Sequence, residues 1–315
     1  MLKSLLSFTL KFLAAIALLL VIGAATLLWL NRDLPFAELE QRYGGNDLKR
    51  LDVDGVNLAY KVEGDGPPVL LLHSHFYTMR MWQPWVDVLK QEFTVVRMDL
   101  TSHGLTGPDP TGDYSRARGT QLINALLAHL DIERTALVGS STGGALAWYF
   151  AAEEPQKVSK LILVNAPGMP RVTNKYMEKT LPDWGGYLLY LMPEAVFRPF
   201  LQAPVVDNSL ISDELLHEFH QMYRGKGNRM AEYRRMQGWE KGDATPYLEK
   251  ITAPTLVMWG QDNPQLPVEH VGQYKGKLVN AARVEQQIYP GIGHVIPLEL
   301  PHQSALDARA FLVRD

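Results

Sequence analysis

The chain has 315 residues, of which 46% are hydrophobic, and its charges nearly cancel, with 31 Lys and Arg against 34 Asp and Glu. A chain of this length and composition can bury a large core, and the lack of any long basic cluster argues against nucleic-acid binding. The sequence contains no cysteine, which excludes disulfide bonds, thiol catalysis and metals held by cysteine.

The first predicted element is an N-terminal transmembrane anchor at residues 1–30. Residues 12–30 form an uncharged apolar run, about 28 Å long as a helix, which matches a hydrocarbon core of about 30 Å. A cleaved signal peptide, cut near Gly23-Ala24-Ala25, is the alternative, but the apolar run continues past these residues. Lys3 and Lys11 precede the span, so we expect a single-pass protein with a cytoplasmic N-terminus and a periplasmic or extracellular domain.

A polar linker is expected at residues 31–49, followed by an α/β domain. Segments 50–53 and 58–62 alternate apolar and polar residues, which predicts an opening antiparallel pair of strands. Short apolar runs then alternate with helical stretches, as in a mostly parallel sheet flanked by helices. The predicted strands lie at 69–72, 93–96, 136–138, 161–164 and 255–258, and the predicted helices at 79–92, 117–130, 142–153 and 303–313.

From residue 170 to 245 the strand pattern stops, and the sequence becomes helical and rich in proline and large aromatic side chains. We expect an inserted α-helical cap over the carboxyl ends of the strands, where open α/β sheets place their sites. Residues 50–169 and 246–315 then form the α/β core. Ordinary core packing is the alternative role for these aromatic side chains.

The segment Gly139-Ser140-Ser141-Thr142-Gly143 lies between a predicted strand and a predicted helix. In that context a Gly-x-Ser-x-Gly pattern predicts a sharp turn that presents Ser141 as a nucleophile. A serine hydroxyl needs an adjacent base. His294, in the turn-rich loop ahead of the last helix, is the candidate. The alternatives are a plain glycine-rich turn and a purely structural histidine.

With these motifs in this order, the chain after the linker resembles the α/β-hydrolase family, and most closely its capped ester, lactone and carbon–carbon bond hydrolases. Residues 72–76, Leu-His-Ser-His-Phe, resemble the oxyanion-loop motif after the third strand of that family. Residues 99–106, Asp-Leu-Thr-Ser-His-Gly-Leu-Thr, resemble its glycine-rich turn after the fourth strand.

The resemblance implies a role for each matching residue. Ser141 would be the nucleophile and His294 the general base. The backbone amides of His75, in the oxyanion loop, and Thr142, at the start of a helix, would bind the oxyanion.

The chain departs from the family motifs at two turns. Ser74 and Ser102 stand where the family has glycine. A side chain at a position that needs positive φ is strained by about 1 kcal/mol or more, so we expect strain at both.

A third departure concerns the acid that supports the histidine. The position where the family places it holds Asn263, with Asp262 directly before it, and the family's alternative acid position holds Asn165. An amide can orient an imidazole but cannot stabilise the imidazolium; in a serine protease, replacing the acid by an amide lowers turnover by about 10⁴. We therefore predict that Asp262 is the third catalytic residue, in a loop displaced by one position. Asn263 is the alternative.

The resemblance implies a membrane-anchored serine hydrolase that cleaves apolar carboxylic esters through an acyl-enzyme on Ser141, with no cofactor and no metal. Its expected partners are a small apolar ester and the membrane, with the oligomeric state left open. A carbon–carbon bond hydrolase or a lactonase would use the same residues. A non-catalytic, membrane-anchored binding protein of the same fold is the alternative from another class.

Overall fold

The computed structural model describes residues 2–170, 181–238 and 243–314. Eight strands form one sheet: β1 (Lys49–Val53), β2 (Val56–Glu63), β3 (Pro68–Leu72), β4 (Thr94–Met98), β5 (Thr135–Ser140), β6 (Val158–Val164), β7 (Thr255–Gly260) and β8 (Val284–Tyr289). Their spatial order is β1-β2-β4-β3-β5-β6-β7-β8. The pairs β1/β2 and β2/β4 are antiparallel, and every later pair is parallel. This confirms the predicted mostly parallel sheet with an antiparallel opening pair.

The helices that the structure describes connect these strands and continue to the C-terminus. They are α1 (Leu2–Leu30), α2 (Phe36–Leu39), α3 (Gln83–Leu89), α4 (Arg116–His129), α5 (Thr142–Glu153), α6 (Glu194–Gln202), α7 (Asp213–Tyr223), α8 (Asn228–Gln237), α9 (Thr245–Leu248), α10 (His270–Lys277), α11 (Ile296–Glu299) and α12 (Pro301–Leu312). The four predicted crossover helices are confirmed within a few residues, the first as a 3₁₀ turn that runs into α3.

The sheet has a hydrophobic core on each face. Alternate side chains of a strand point to opposite faces, so Leu70 and Leu72 of β3 join one core while Val69 and Leu71 join the other. Helices α4, α5 and α10 cover the first core, and α3 and α12 cover the second.

Strand β8 was not predicted from the sequence. Its residues, Val-Glu-Gln-Gln-Ile-Tyr, are mostly polar and mostly not buried, because the strand lies at the edge of the sheet. An edge strand needs no continuous apolar run, so the pattern that revealed the inner strands is missing here.

Helix α1 protrudes from the domain. Its stretch Ser7–Leu30 is long and apolar enough to cross a membrane, and none of it is buried. The helix ends at the domain surface, where the Asn31 side-chain amide donates to the Leu27 carbonyl and the Arg32 guanidinium lies 4.8 Å from the centre of the Trp29 ring.

The segment predicted as a linker is packed onto the domain. Leu34 and Leu39 are buried, and they pack with Met79 and Leu105. Leu34 also forms a parallel bridge with Gly225, and the Arg229 guanidinium binds the Asp33 carboxylate at 2.6 Å. A few apolar residues within a polar composition were enough to order this segment.

Between β6 and β7 the chain forms only helices in the part that the structure describes. A 3₁₀ helix at Asp183–Leu191 is followed by α6, α7, α8 and α9. Part of the segment predicted as a cap, residues 171–180 and 239–242, lies outside the described residues. Helix α6 lies beside the oxyanion loop, because Phe197 and Phe200 contact the ring of Phe76 edge-on at 5.6 and 5.5 Å.

Candidate active site

Ser141 sits in a sharp turn between β5 and α5. Its backbone has φ +49° and ψ −116°, a strained conformation for a residue with a side chain. A Cβ atom on Gly139 would collide with the Gly143 carbonyl, and one on Gly143 would collide with the Leu72 carbonyl. The two glycines of the motif therefore serve the close approach of strand and helix that the sequence predicted.

The structure brings His294 to Ser141. The Nε2 atom of His294 lies 2.8 Å from the serine Oγ, and the histidine side chain is buried. The histidine loop is held by Asn165, whose side-chain amide donates to the carbonyl oxygens of Gly293 and His294 at 3.2 and 2.8 Å. The Oδ1 atom of Asn165 accepts a hydrogen bond from the Gly260 amide, so one buried side chain joins β6, β7 and the loop.

The third residue at the imidazole is Asn263. Its Oδ1 atom lies 3.1 Å from the His294 Nδ1 atom and also accepts the backbone amides of Gln265 and Leu266 at 2.9 and 3.1 Å. These two amides can donate only to oxygen, which fixes the orientation of the side chain. Nδ1 of His294 then carries the proton, and Nε2 is free to accept the serine proton.

The prediction that Asp262 supports His294 is wrong in this structure. The Asp262 carboxylate accepts the Gly291 amide at 2.8 Å, and its own amide donates to the Ile292 carbonyl at 3.0 Å. These bonds tie Asp262 to the start of the histidine loop, so the one-residue displacement that the prediction required does not occur. The alternative, Asn263, is the residue beside the ring.

The oxyanion loop after β3 is tied to the residue before the nucleophile. The Oγ atoms of Ser74 and Ser140 are 2.8 Å apart, and His73 binds the Ser74 carbonyl and the Leu100 amide. Ser74 does not have a positive φ, so the strain expected there is absent. The positive φ of this loop is at Phe76, at +63°.

The two predicted oxyanion donors flank the nucleophile. His75 lies in the oxyanion loop and, with Ser141, lines the same cavity. Thr142 is the first residue of α5, so its amide has no acceptor within the helix.

The turn after β4 is strained as the sequence predicted. Ser102 has φ +69°, and its hydroxyl donates to the Glu232 carboxylate at 3.1 Å. Asp99, the first residue of this motif, is buried and accepts the backbone amides of Met79 and Leu105 at 2.7 and 2.8 Å. It therefore joins the turn after β4 to the helical turn that follows the oxyanion loop.

A cavity of about 350 Å³ opens beside Ser141, near the small end of the range for ligand pockets. Its lining is predominantly apolar and includes Phe76, Tyr77, Pro199, Phe200 and Pro204. An apolar group of a substrate would fit next to the serine and the histidine.

Sequence reasoning missed two charged residues of α8 that reach the oxyanion loop. The Arg235 guanidinium donates to His75 Nδ1 at 2.7 Å and to both carboxylate oxygens of Glu232 at 2.7 and 2.8 Å. Burial lowers the pKa of His75 to about 4, with Glu232 opposing and Arg235 adding to the shift. Burial would raise the pKa of Glu232, but Arg235 and the nearby histidines hold it at about 2. No local pattern marks residues so far apart in sequence.

The same cluster contains three potential metal ligands. His75, His103 and Glu232 offer ligand atoms within 4.8 Å of one another. Nη2 of Arg235 lies 2.7 Å from both His75 Nδ1 and Glu232 Oε1, so a guanidinium already takes the place where a metal ion would bind these two residues.

Comparison with known proteins shows which proteins this chain is similar to. Residues 67–301 match the model of the alpha/beta hydrolase fold. An uncharacterized protein of Mycobacterium tuberculosis is 28% identical over 257 residues, 77% of this chain and 74% of that protein. The 2-hydroxy-6-oxo-6-phenylhexa-2,4-dienoate hydrolase of Comamonas testosteroni is 27% identical over 243 residues, 70% of this chain and 79% of that enzyme.

A solved structure shares the fold over almost the whole chain. The crystal structure of a membrane phospholipase A, described as a bacterial virulence factor, superposes with a TM-score of 0.72 at 23% identity. The alignment covers 96% of this chain and 97% of that chain.

Proposed function

The chain belongs to the alpha/beta hydrolase fold family, and from this premise we propose that it is a serine hydrolase that cleaves carboxylic esters of apolar substrates. The observation that carries the proposal is the 2.8 Å contact between Ser141 Oγ and His294 Nε2 at the wall of an apolar cavity. Acyl transfer by a serine requires a nucleophile in contact with a base, and a third group that orients the base.

In the proposed reaction, Ser141 Oγ attacks the ester carbonyl carbon while His294 Nε2 takes the serine proton. The carbonyl oxygen becomes an oxyanion, which the amides of His75 and Thr142 stabilise. His294 then protonates the leaving alcohol, and the acyl group stays on the serine. A water molecule, deprotonated by His294, attacks the acyl-enzyme, releases the carboxylic acid and restores Ser141. None of these steps needs a cofactor or a metal.

Asn263 has a positioning role in this scheme. Its Oδ1 atom accepts the Nδ1 proton of His294 at 3.1 Å, which keeps Nε2 available as the base. A neutral amide adds less stabilisation than a carboxylate when the ring becomes charged, because a hydrogen bond to a charged acceptor is about twice as strong.

The cavity favours an ester over the dienoate that the Comamonas enzyme's name describes. A dienoate carries a carboxylate, yet none of the described residues that line the cavity is Lys or Arg. A charged group would enter this apolar site without a counter-ion, at a large desolvation cost. Carbon–carbon bond hydrolysis with the same residues is therefore the second candidate. A lactone is a neutral cyclic ester, so lactone hydrolysis remains compatible with this cavity.

We also propose that α1 is an uncleaved anchor, with its N-terminus in the cytoplasm and the domain in the periplasm or outside the cell. Support comes from the apolar stretch Ser7–Leu30, which is not buried and continues past Gly23-Ala24-Ala25, where a signal peptide would be cut. The helices between β6 and β7 would act as the predicted cap at residues 170–245, with 50–169 and 246–315 as the core. The intact mass of the protein extracted from membranes tests the anchor, because a cleaved chain lacks about 25 residues.

The nucleophile is tested with a fluorophosphonate probe and p-nitrophenyl esters of increasing chain length. We expect the full-length protein in detergent to be labelled and to hydrolyse the esters, and Ser141→Ala to do neither. Ser209→Ala is the control, because Ser209 is an exposed serine that does not line the cavity and should leave labelling in place. A folded wild-type protein without labelling would instead favour the non-catalytic binding protein.

A further inference from the structure

A polar cluster, buried except for the partly exposed His75 side chain, joins helix α8 to the oxyanion loop and to the turn after β4. It consists of His75, His103, Glu232 and Arg235, and we call it the Glu232 cluster. The side chain of Glu232 is 1% exposed and that of Arg235 is 10% exposed. Because α8 belongs to the helices between β6 and β7 while both histidines belong to the core, the cluster connects the two parts.

Within the cluster, Arg235 holds Glu232 through two hydrogen bonds. Its Nε atom donates to Oε2 at 2.8 Å and its Nη2 atom donates to Oε1 at 2.7 Å. The His103 Nε2 atom lies 3.6 Å from Oε2. A two-pronged contact of this kind fixes both the position and the orientation of the guanidinium.

Arg235 in turn holds the side chain of His75. Its Nη2 atom donates to His75 Nδ1 at 2.7 Å, and Glu232 Oε1 lies 3.1 Å from the same Nδ1 atom. A guanidinium can only donate, so Nδ1 is the acceptor in the bond from Arg235, and the ring is held by both charged residues of α8. The His75 ring lies 3.8 Å from the ring of Phe76, the residue with the positive φ of the loop. The contact from α8 therefore acts at the point where the loop backbone is strained.

A hydrogen bond accounts for Ser102 at the position where the family has glycine. Its backbone is strained, at φ +69°, and glycine would remove that strain. The serine hydroxyl, however, donates to Glu232 Oε2 at 3.1 Å, a bond that glycine cannot make. The turn after β4 thus supplies one of the hydrogen bonds that hold the buried carboxylate.

We propose that Glu232 and Arg235 are positioning residues for the oxyanion hole. They hold His75 so that its backbone amide can donate to the oxyanion. The geometry of the oxyanion hole then depends on the position of helix α8. The proposal rests on ester hydrolysis at Ser141 through the His75 amide. Neither residue touches the substrate in this scheme, because both act through His75.

The test measures kcat and KM for p-nitrophenyl butyrate with the full-length protein in detergent. Arg235→Met removes the donor to His75, and we expect kcat to fall about 10- to 100-fold, since complete loss of an oxyanion donor lowers kcat by about 10²–10³. KM should stay within about twofold, because Arg235 does not line the apolar cavity. Arg235→Lys keeps a charged donor and should recover part of kcat.

Arg234→Met is the matched control, because Arg234 is the exposed neighbour on the same helix and should leave kcat unchanged. Ser102→Gly loses the bond to Glu232 but leaves the contact between Arg235 and His75, so it should lower kcat less than Arg235→Met does. If Arg235→Met does not fold, Arg235→Lys is judged on its own, and a kcat reduced at unchanged KM supports the proposal.

A purely structural role predicts a different result. A kcat within twofold of wild type in folded Arg235→Met, or a loss that appears only in KM, would overturn the positioning role while leaving the proposed hydrolase function in place. A wild-type protein that neither reacts with fluorophosphonate nor hydrolyses any ester would overturn both. Zinc that raises the melting temperature of the wild-type protein, but not of His103→Ala, would show a metal site and overturn the role of Arg235.

Discussion

Replacing Asn263 by aspartate should increase activity. The Asn263 Oδ1 atom already accepts three hydrogen bonds, from His294 Nδ1 and from the amides of Gln265 and Leu266, and an aspartate oxygen can accept all three in the same place. The Nδ2 atom of Asn263 is buried and has no partner among the described residues, so the substitution sacrifices no hydrogen bond there.

The size of the effect follows from the change in charge. A neutral hydrogen bond contributes about 0.5–1.5 kcal/mol and one to a charged group about 1.5–3 kcal/mol. The imidazolium that forms in the transition state should therefore gain about 1–1.5 kcal/mol in Asn263→Asp. That gain corresponds to an increase of about 5- to 13-fold in kcat.

The assay is kcat for p-nitrophenyl butyrate at pH 7.5, with fluorophosphonate labelling rates as a second readout. Asn263→Ala should lower kcat, because His294 loses the acceptor for its Nδ1 proton, whereas Asp262→Ala should change it little. A folded Asn263→Asp that is no faster than wild type, together with an inactive Asp262→Ala, would refute the assignment of Asn263.

Three further predictions concern the elbow, the cavity and pH. Gly143→Ala should be poorly folded or strongly destabilised by thermal melting, because its Cβ would collide with the Leu72 carbonyl, whereas Gly272→Ala, whose Cβ would meet nothing within 4 Å, should not. Phe200→Ala removes a wall of the cavity and should shift the optimum of kcat/KM toward longer acyl chains; an unchanged optimum would exclude this wall as a determinant of length. Because the pKa of His75 is lowered from 6.5 to about 4 in the folded protein, the unfolded chain binds this proton first, and stability should fall between about pH 6.5 and pH 4. At pH 4.5 the loss from His75 is about 2.5 kcal/mol, or about 5–10 °C in Tm, and His75→Gln should flatten the change.

The sequence predicted those parts of the site that depend on local patterns. Ser141 is visible because glycines, a buried strand and a helix lie within one short segment, and His294 because its loop is rich in turn residues. The inner strands are visible because they are buried on both faces and therefore continuously apolar. Each of these features depends on residues that are adjacent in the sequence.

Contacts between distant segments left no such pattern. Arg235 and Glu232 meet His75 across about 160 residues of chain, and nothing beside any of them marks the contact. The choice between Asp262 and Asn263 was a matter of loop register, which depends on the hydrogen bond from the Asp262 amide to the Ile292 carbonyl. Reasoning from charge alone selected the carboxylate, but the backbone determines which side chain faces the ring.

Two asparagines contact His294 and its loop, and both are neutral. Asn165 binds the backbone of the loop, and Asn263 binds the ring itself, so both orient His294 and neither supplies a negative charge. A base without a carboxylate partner gains less stabilisation when it is protonated, which leaves a larger share of transition-state stabilisation to the oxyanion hole. That share depends on the His75 amide, and thus on the contact from Arg235. On this argument, kcat should be more sensitive to Arg235→Met than to Asn263→Ala, the reverse of the order expected for a site that contains the usual acid.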